Sequence, residues 1–171
     1  MSNFFLLGLP RCRSVWLSYL LSYGDSYCHH ELLSNKQMPF MNRLPTMQGI
    51  TNVGSADTYP LNFSESIVKD SPLVIINRPL EDTKQALSKS HGYIPENDLE
   101  CVVESMYEKL QNIHTSNQIN INFCDLNDRN VILKIMNHCG VYAHSTHINK
   151  IMGTNITTSN SDMNNTNHGA V

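Results

Sequence analysis

The 171 residues suffice for one domain around a single core, and a hydrophobic share of 40% suits a globular chain. The formal charge of −3 offers no basic footprint for duplex nucleic acid, and no apolar run approaches the roughly 20 residues that span a bilayer, so neither a nucleic acid nor a membrane is expected as a partner. Five cysteines, odd in number, widely spaced and free of any CxxC pair, argue against disulfides and structural zinc and for a reducing, cytoplasmic location.

Asn3–Leu7 is a short apolar run, read as a buried strand. Gly8–Arg13 holds Gly, Pro and two arginines and reads as a loop. Ser14 is placed to cap a helix running through Tyr23, with Val15, Trp16, Tyr19, Leu20 and Tyr23 on one broad face and Gly24 as its stop. Ser26–His29 reads as a second strand, Lys36–Leu44 as a helix weakened by Pro39, and Gly49–Val53 as a third strand. Pro60–Lys69 is predicted helical. Leu73–Asn77, with Val74, Ile75 and Ile76, is the clearest buried strand, and Leu80–His91 follows as a helix.

Asn97–His114 keeps helical spacing through Leu99, Val102, Val103, Met106, Tyr107, Leu110 and Ile113, with Asn97 and Glu100 in a capping-box arrangement. Gln118–Phe123 alternates as a strand. Asp128–Cys139 is a last amphipathic helix carrying Val131, Ile132, Ile135 and Met136, ending at Gly140. The domain is expected to occupy residues 1–153. The tail 154–171, nearly all Asn, Thr and Ser at its start, has little to bury and is expected to be disordered.

Alternating strands and helices predict an α/β fold of three layers, αβα, with a mostly parallel central sheet, the general layout that P-loop NTPase-like folds share. Ligands in such sheets sit beyond the carboxyl ends of the strands. Chemistry is therefore sought after Leu7, His29, Val53, Asn77 and Phe123, and Val53–Asp57 becomes a candidate lining for a substrate pocket.

The segment Gly8-Leu9-Pro10-Arg11-Cys12-Arg13-Ser14-Val15-Trp16 joins a buried strand to a helix N-terminus, where unpaired N–H groups and the helix dipole favour an anion. Arg11 and Arg13 add forked cationic donors suited to phosphate. A Walker A loop is excluded, because Arg13 and Ser14 stand where its second Gly and its Lys belong. The competing reading is a plain strand-to-helix turn with two solvated arginines. Cys28-His29-His30-Glu31 follows the second strand. Neighbouring strand residues point to opposite faces, so this cluster is not expected to converge on a metal ion.

The stretch GLPRCRSVWLSYLL resembles the 5′-phosphosulfate loop of the sulfotransferase family, commonly P-K-S-G-T-T-W-L. Pro10, Ser14, Trp16 and Leu17 match in kind. Arg11 stands at the family's Lys, while Cys12, Arg13 and Val15 replace its Ser, Gly and second Thr. The form P-R-x-R-[S/T]-x-W-L is similar to that of small viral or bacterial members. In PLVIINRPLEDTKQALSKS, Arg78 follows the best strand and matches the family's Arg for the 3′-phosphate. The family's Ser position falls on Ala86, with Ser88 and Ser90 close by, and Ser88 is the candidate.

The resemblance implies a co-substrate, 3′-phosphoadenosine 5′-phosphosulfate, bound by Pro10, Arg11, Cys12, Arg13, Ser14, Val15, Arg78 and Ser88, with no metal. It also implies transfer to a hydroxyl or amine acceptor, with Arg11 catalytic and Glu31 or His30 as general base. Two other functions stay open: a P-loop nucleotide-binding or kinase-like protein, and a catalytically inactive interaction module on the same fold.

Overall fold

A computed structural model describes residues 2–32, 49–68, 70–90, 96–142 and 144–154. The helix expected over Lys36–Leu44 and the tail beyond Thr154 lie outside these described residues.

The strands are β1 (Ser2–Gly8), β2 (Ser26–His30), β3 (Asn52–Asp57), β4 (Leu73–Asn77) and β5 (Gln118–Asn122). They form one sheet in the order β2-β3-β1-β4-β5, and every neighbouring pair is parallel. All five carboxyl ends therefore lie along one edge, with β1 at the centre. The helices are α1 (Ser14–Leu21), α2 (Glu65–Val68), α3 (Leu80–Ser90), α4 (Glu96–Gln111), α5 (Arg129–His138) and α6 (Ser145–Met152).

Strand alternation divides the apolar side chains between two faces. Phe4, Leu6, Val74, Ile76 and Ile121 pack with Trp16, Leu17, Leu20 and Leu21 of α1, Ile132, Ile135 and Met136 of α5, and Ile148 and Ile151 of α6. Phe5, Leu7, Val53, Leu73 and Ile75 pack on the other face with Met106, Leu110 and Ile113, at and beyond α4. The three-layer αβα architecture expected from the sequence is present.

Several boundaries differ from expectation for identifiable reasons. The third strand is Asn52–Asp57, not Gly49–Val53, so Val53–Asp57 is not a loop but a strand buried on both faces. Gly54, Ser55 and Asp57 have low strand propensity, yet β3 lies between β1 and β2, where pairing decides. Pro60–Lys69 divides into a 3₁₀ turn, Pro60–Asn62, and the short α2. On α4, Val102 is exposed while Val103 is buried, and the helix begins at Glu96, so Asn97 lies within it rather than capping it. Asp128 caps α5, its carboxylate accepting from the Asn130 amide at 2.8 Å. The helix α6, rich in polar residues, was not anticipated. Its carbonyl at Ile151 accepts a hydrogen bond from Trp16 Nε1 at 3.0 Å, which ties it to α1.

Candidate functional site

Between β1 and α1 the chain turns through two left-handed residues, Arg11 (φ 68°) and Arg13 (φ 66°). Such turns gather successive amides into a concavity that accepts anions. Arg13, not Ser14, is the residue that precedes α1, and no side chain caps the helix there. Ser14 is the first helical residue instead. Among the described residues no carbonyl accepts from the amides of Arg13, Ser14, Val15 or Trp16, whereas Cys12 N–H donates to the Leu9 carbonyl at 3.2 Å and closes the turn. The Ser14 amide faces Cys12 Sγ, and those of Arg13, Val15 and Trp16 are left for a ligand.

Cys12 lies beneath this turn, fully buried. Burial pushes its thiol up to about 12, against the pull of backbone hydrogen bonds at Ser14 and Cys12 and of the Arg78 guanidinium. Gly8 makes room for it: a Cβ there would stand 2.5 Å from Cys12 Sγ. Pro10 and Val15 are half-buried at the two ends of the loop.

Three guanidinium groups belong to this locality. Arg78, just past β4, donates from Nη1 to the Arg11 carbonyl. Burial lowers its pKa, and the positive charges of Arg11 and Arg13 add to that lowering, while Asp82 opposes it. Its Nε is buried with no hydrogen-bond partner among the described residues. Arg13 donates from Nη1 to Asn127 Oδ1 at 2.8 Å. The guanidinium carbons of Arg13 and Arg78 lie 5.7 Å and 4.4 Å from the Phe123 ring centroid, within cation–π reach. Beside Arg13, a cleft of about 270 Å³ is lined by Trp16, Asn127 and the residues Met152–Thr154 at and beyond the end of α6.

On the other side of the loop stand His30 and Glu31. His30 Nε2 lies 3.0 Å from Ser14 Oγ and 3.7 Å from Glu31 Oε1. Burial lowers the His30 pKa, and the Glu31 carboxylate opposes the shift. Glu31 Oε1 also accepts from Thr58 Oγ1 at 2.8 Å. Hydroxyl and carboxylate meet the same ring nitrogen, which differs from a nucleophilic triad, where they occupy opposite nitrogens.

Most of the residues singled out from the sequence thus gather at one place: Pro10, Arg11, Cys12, Arg13, Ser14 and Val15 in the turn, Arg78 against it, His30 on Ser14, and Glu31 on His30. Ser88 stands apart. It is exposed on α3, with its hydroxyl donating to the Gln85 carbonyl at 2.9 Å. Thr58, Phe123 and Asn127 were not singled out for the site. Each follows the carboxyl end of a strand, so the positional rule that pointed to Arg78 would have reached them too.

No protein-family model and no curated protein matches the sequence. Solved structures do match in shape. The sulfotransferase domain from the curacin biosynthetic pathway superposes with a TM-score of 0.59 at 12% identity, over 90% of this chain and 78% of that one. The fold is sulfotransferase-like. Mouse sulfotransferase SULT7A1, solved in complex with PAP, gives 0.56 at 15% identity, over 88% of this chain. This chain spans 63% of the mouse protein's length. Arg13 holds its left-handed φ of 66° without being glycine, the residue that adopts that conformation freely.

Proposed function

We propose that the chain is a sulfotransferase, moving a sulfuryl group from 3′-phosphoadenosine 5′-phosphosulfate to a hydroxyl or amine acceptor. The observation that carries this reading is the contact between the two anion-reading segments: Arg78 beyond β4 is bonded to the carbonyl of Arg11 in the turn beyond β1. Open amides, Ser14 and Arg11 suit the 5′ end of the donor, and Arg78 suits a second phosphate. Family resemblance adds Ser88 on α3 as a donor contact.

In this scheme the acceptor oxygen or nitrogen attacks sulfur in line, and the sulfur–oxygen bond to the 5′-phosphate breaks. Negative charge collecting on the departing oxygen is met by Arg11, Ser14 and the helix-opening amides, fixed before the reaction begins. The proton released by the acceptor passes to the His30–Glu31 pair. Burial keeps the imidazole neutral near physiological pH, so the ring nitrogen without a hydrogen or the Glu31 carboxylate takes the proton.

Calorimetry with adenosine 3′,5′-bisphosphate tests the assignment. Arg11→Ala and Arg78→Ala should each weaken binding by about tenfold or more, the worth of a charge-assisted hydrogen bond. Unchanged affinity in Arg11→Ala would remove the loop from the site. A thermal shift with ATP–magnesium but none with the bisphosphate would reassign the chain to another class of nucleotide-binding protein.

A further inference from the structure

Alternation along a strand sends adjacent side chains to opposite faces, which would part Glu31 from His30. The backbone prevents this. Glu31 takes a φ of 58°, its amide donates to the Ala56 carbonyl at 3.0 Å, and its carboxylate returns to within 3.7 Å of His30 Nε2. With Thr58 at 2.8 Å on Glu31 and Ser14 at 3.0 Å on His30, four side chains form a line. It runs from the loop beyond β3 to the first residue of α1.

The positions of the hydrogens along this line follow from which groups can donate. An ionised carboxylate only accepts, so Thr58 donates to Glu31. The ring nitrogen that faces both Glu31 and Ser14 carries its hydrogen, because the opposite tautomer would set its lone pair against the carboxylate. Ser14 Oγ then accepts from His30 and keeps its own hydrogen for the turn, where the amides are open. With the tautomers reversed, the Ser14 hydrogen would be spent on the imidazole.

We propose that Thr58 is a positioning residue that acts through Glu31 and His30. By holding the carboxylate it fixes the Nε2–H tautomer of His30, and so turns the Ser14 hydroxyl toward an anion on the loop. The last step rests on the reading of the loop as a donor site, whereas the tautomer does not require a nucleotide.

Heteronuclear NMR of the imidazoles in the ligand-free protein tests this at about pH 8, where an ordinary imidazole is neutral. The His30 signals are identified by their loss in His30→Gln. The parent and Thr58→Ser should both show the Nε2–H tautomer, and Thr58→Val a mixture with Nδ1–H. Calorimetry should show adenosine 3′,5′-bisphosphate binding weakened by about tenfold in Thr58→Val, as for one charge-assisted hydrogen bond, and restored in Thr58→Ser. An unaltered tautomer in Thr58→Val, or Thr58→Ser behaving like Thr58→Val, overturns the role of Thr58. Equal affinity of Thr58→Val and the parent overturns the link to Ser14 while the donor-site reading stands. A shifted tautomer in a protein that binds no bisphosphate in any form supports the Thr58–His30 link and overturns the donor-site reading.

Discussion

His30 is the residue at which pH should be felt. Its imidazole is held below its ordinary value by burial, with Glu31 acting in the opposite sense. A base with a depressed folded pKa contributes stability above its unfolded value, near 6.5, and loses it as pH falls through the folded value. Urea midpoints of the parent should therefore drop as pH falls below about 6.5, and those of His30→Gln should drop less. Parallel curves would mean that His30 is not the group responsible. Residue chemistry was legible in the sequence where it depends on type and order: two arginines, a serine and a helix start announce an anion. It was illegible where it depends on backbone twist. Nothing in the letters His30-Glu31 tells that a left-handed residue at the end of β2 folds the carboxylate back onto the ring.

At the level of strands and helices, Gly54 governs how β3 sits against β1. It is registered opposite Phe4, and a Cβ there would fall 2.0 Å from Phe4 Cε2. The strand is paired on both sides, so the backbone has little freedom to retreat. Gly54→Ala should cost about 1–3 kcal/mol, the usual range for overpacking a core. Adding Phe4→Leu should recover part of that loss, because the two sites are in contact. Denaturant midpoints of the two singles and the double variant decide it, and purely additive losses would refute the packing argument.

The same glycine explains why the third strand was misplaced: a segment made buriable by its neighbours carries no strand signature of its own. β4 was legible because its four consecutive apolar residues need cover on both faces. α5 was legible because its apolar residues recur with helical spacing. α6 escaped because the features that secure it, the Trp16 bond to Ile151 and the packing of Ile148, lie far away in the chain.

Over the whole molecule, the alternation of strands and helices pointed to a parallel sheet, but the order β2-β3-β1-β4-β5 could not be read from it. That order makes β1 the point from which the chain departs to both sides, the position where such sheets bind ligands. It brings the ends of β1, β2, β3 and β4 together around one loop, and so joins residues as distant in sequence as Arg11, Thr58 and Arg78. Once the order is known, the placement of the site follows.

Arg13 and Arg78 are steadied largely by neutral partners: an amide oxygen, a carbonyl and the Phe123 ring. Hydrogen bonds of that kind fix a guanidinium without cancelling its charge. A chain whose overall charge is −3 thus keeps a local electropositive spot at the mouth of its sheet. Polyanions should be drawn to that spot from beyond contact distance, and their capture should slow steeply with ionic strength over the range in which the screening length contracts from about 30 Å to about 8 Å. Stopped-flow association of a fluorescent adenosine bisphosphate across a salt series would measure this, and a flat salt dependence would show that the field does not reach past the site's own rim.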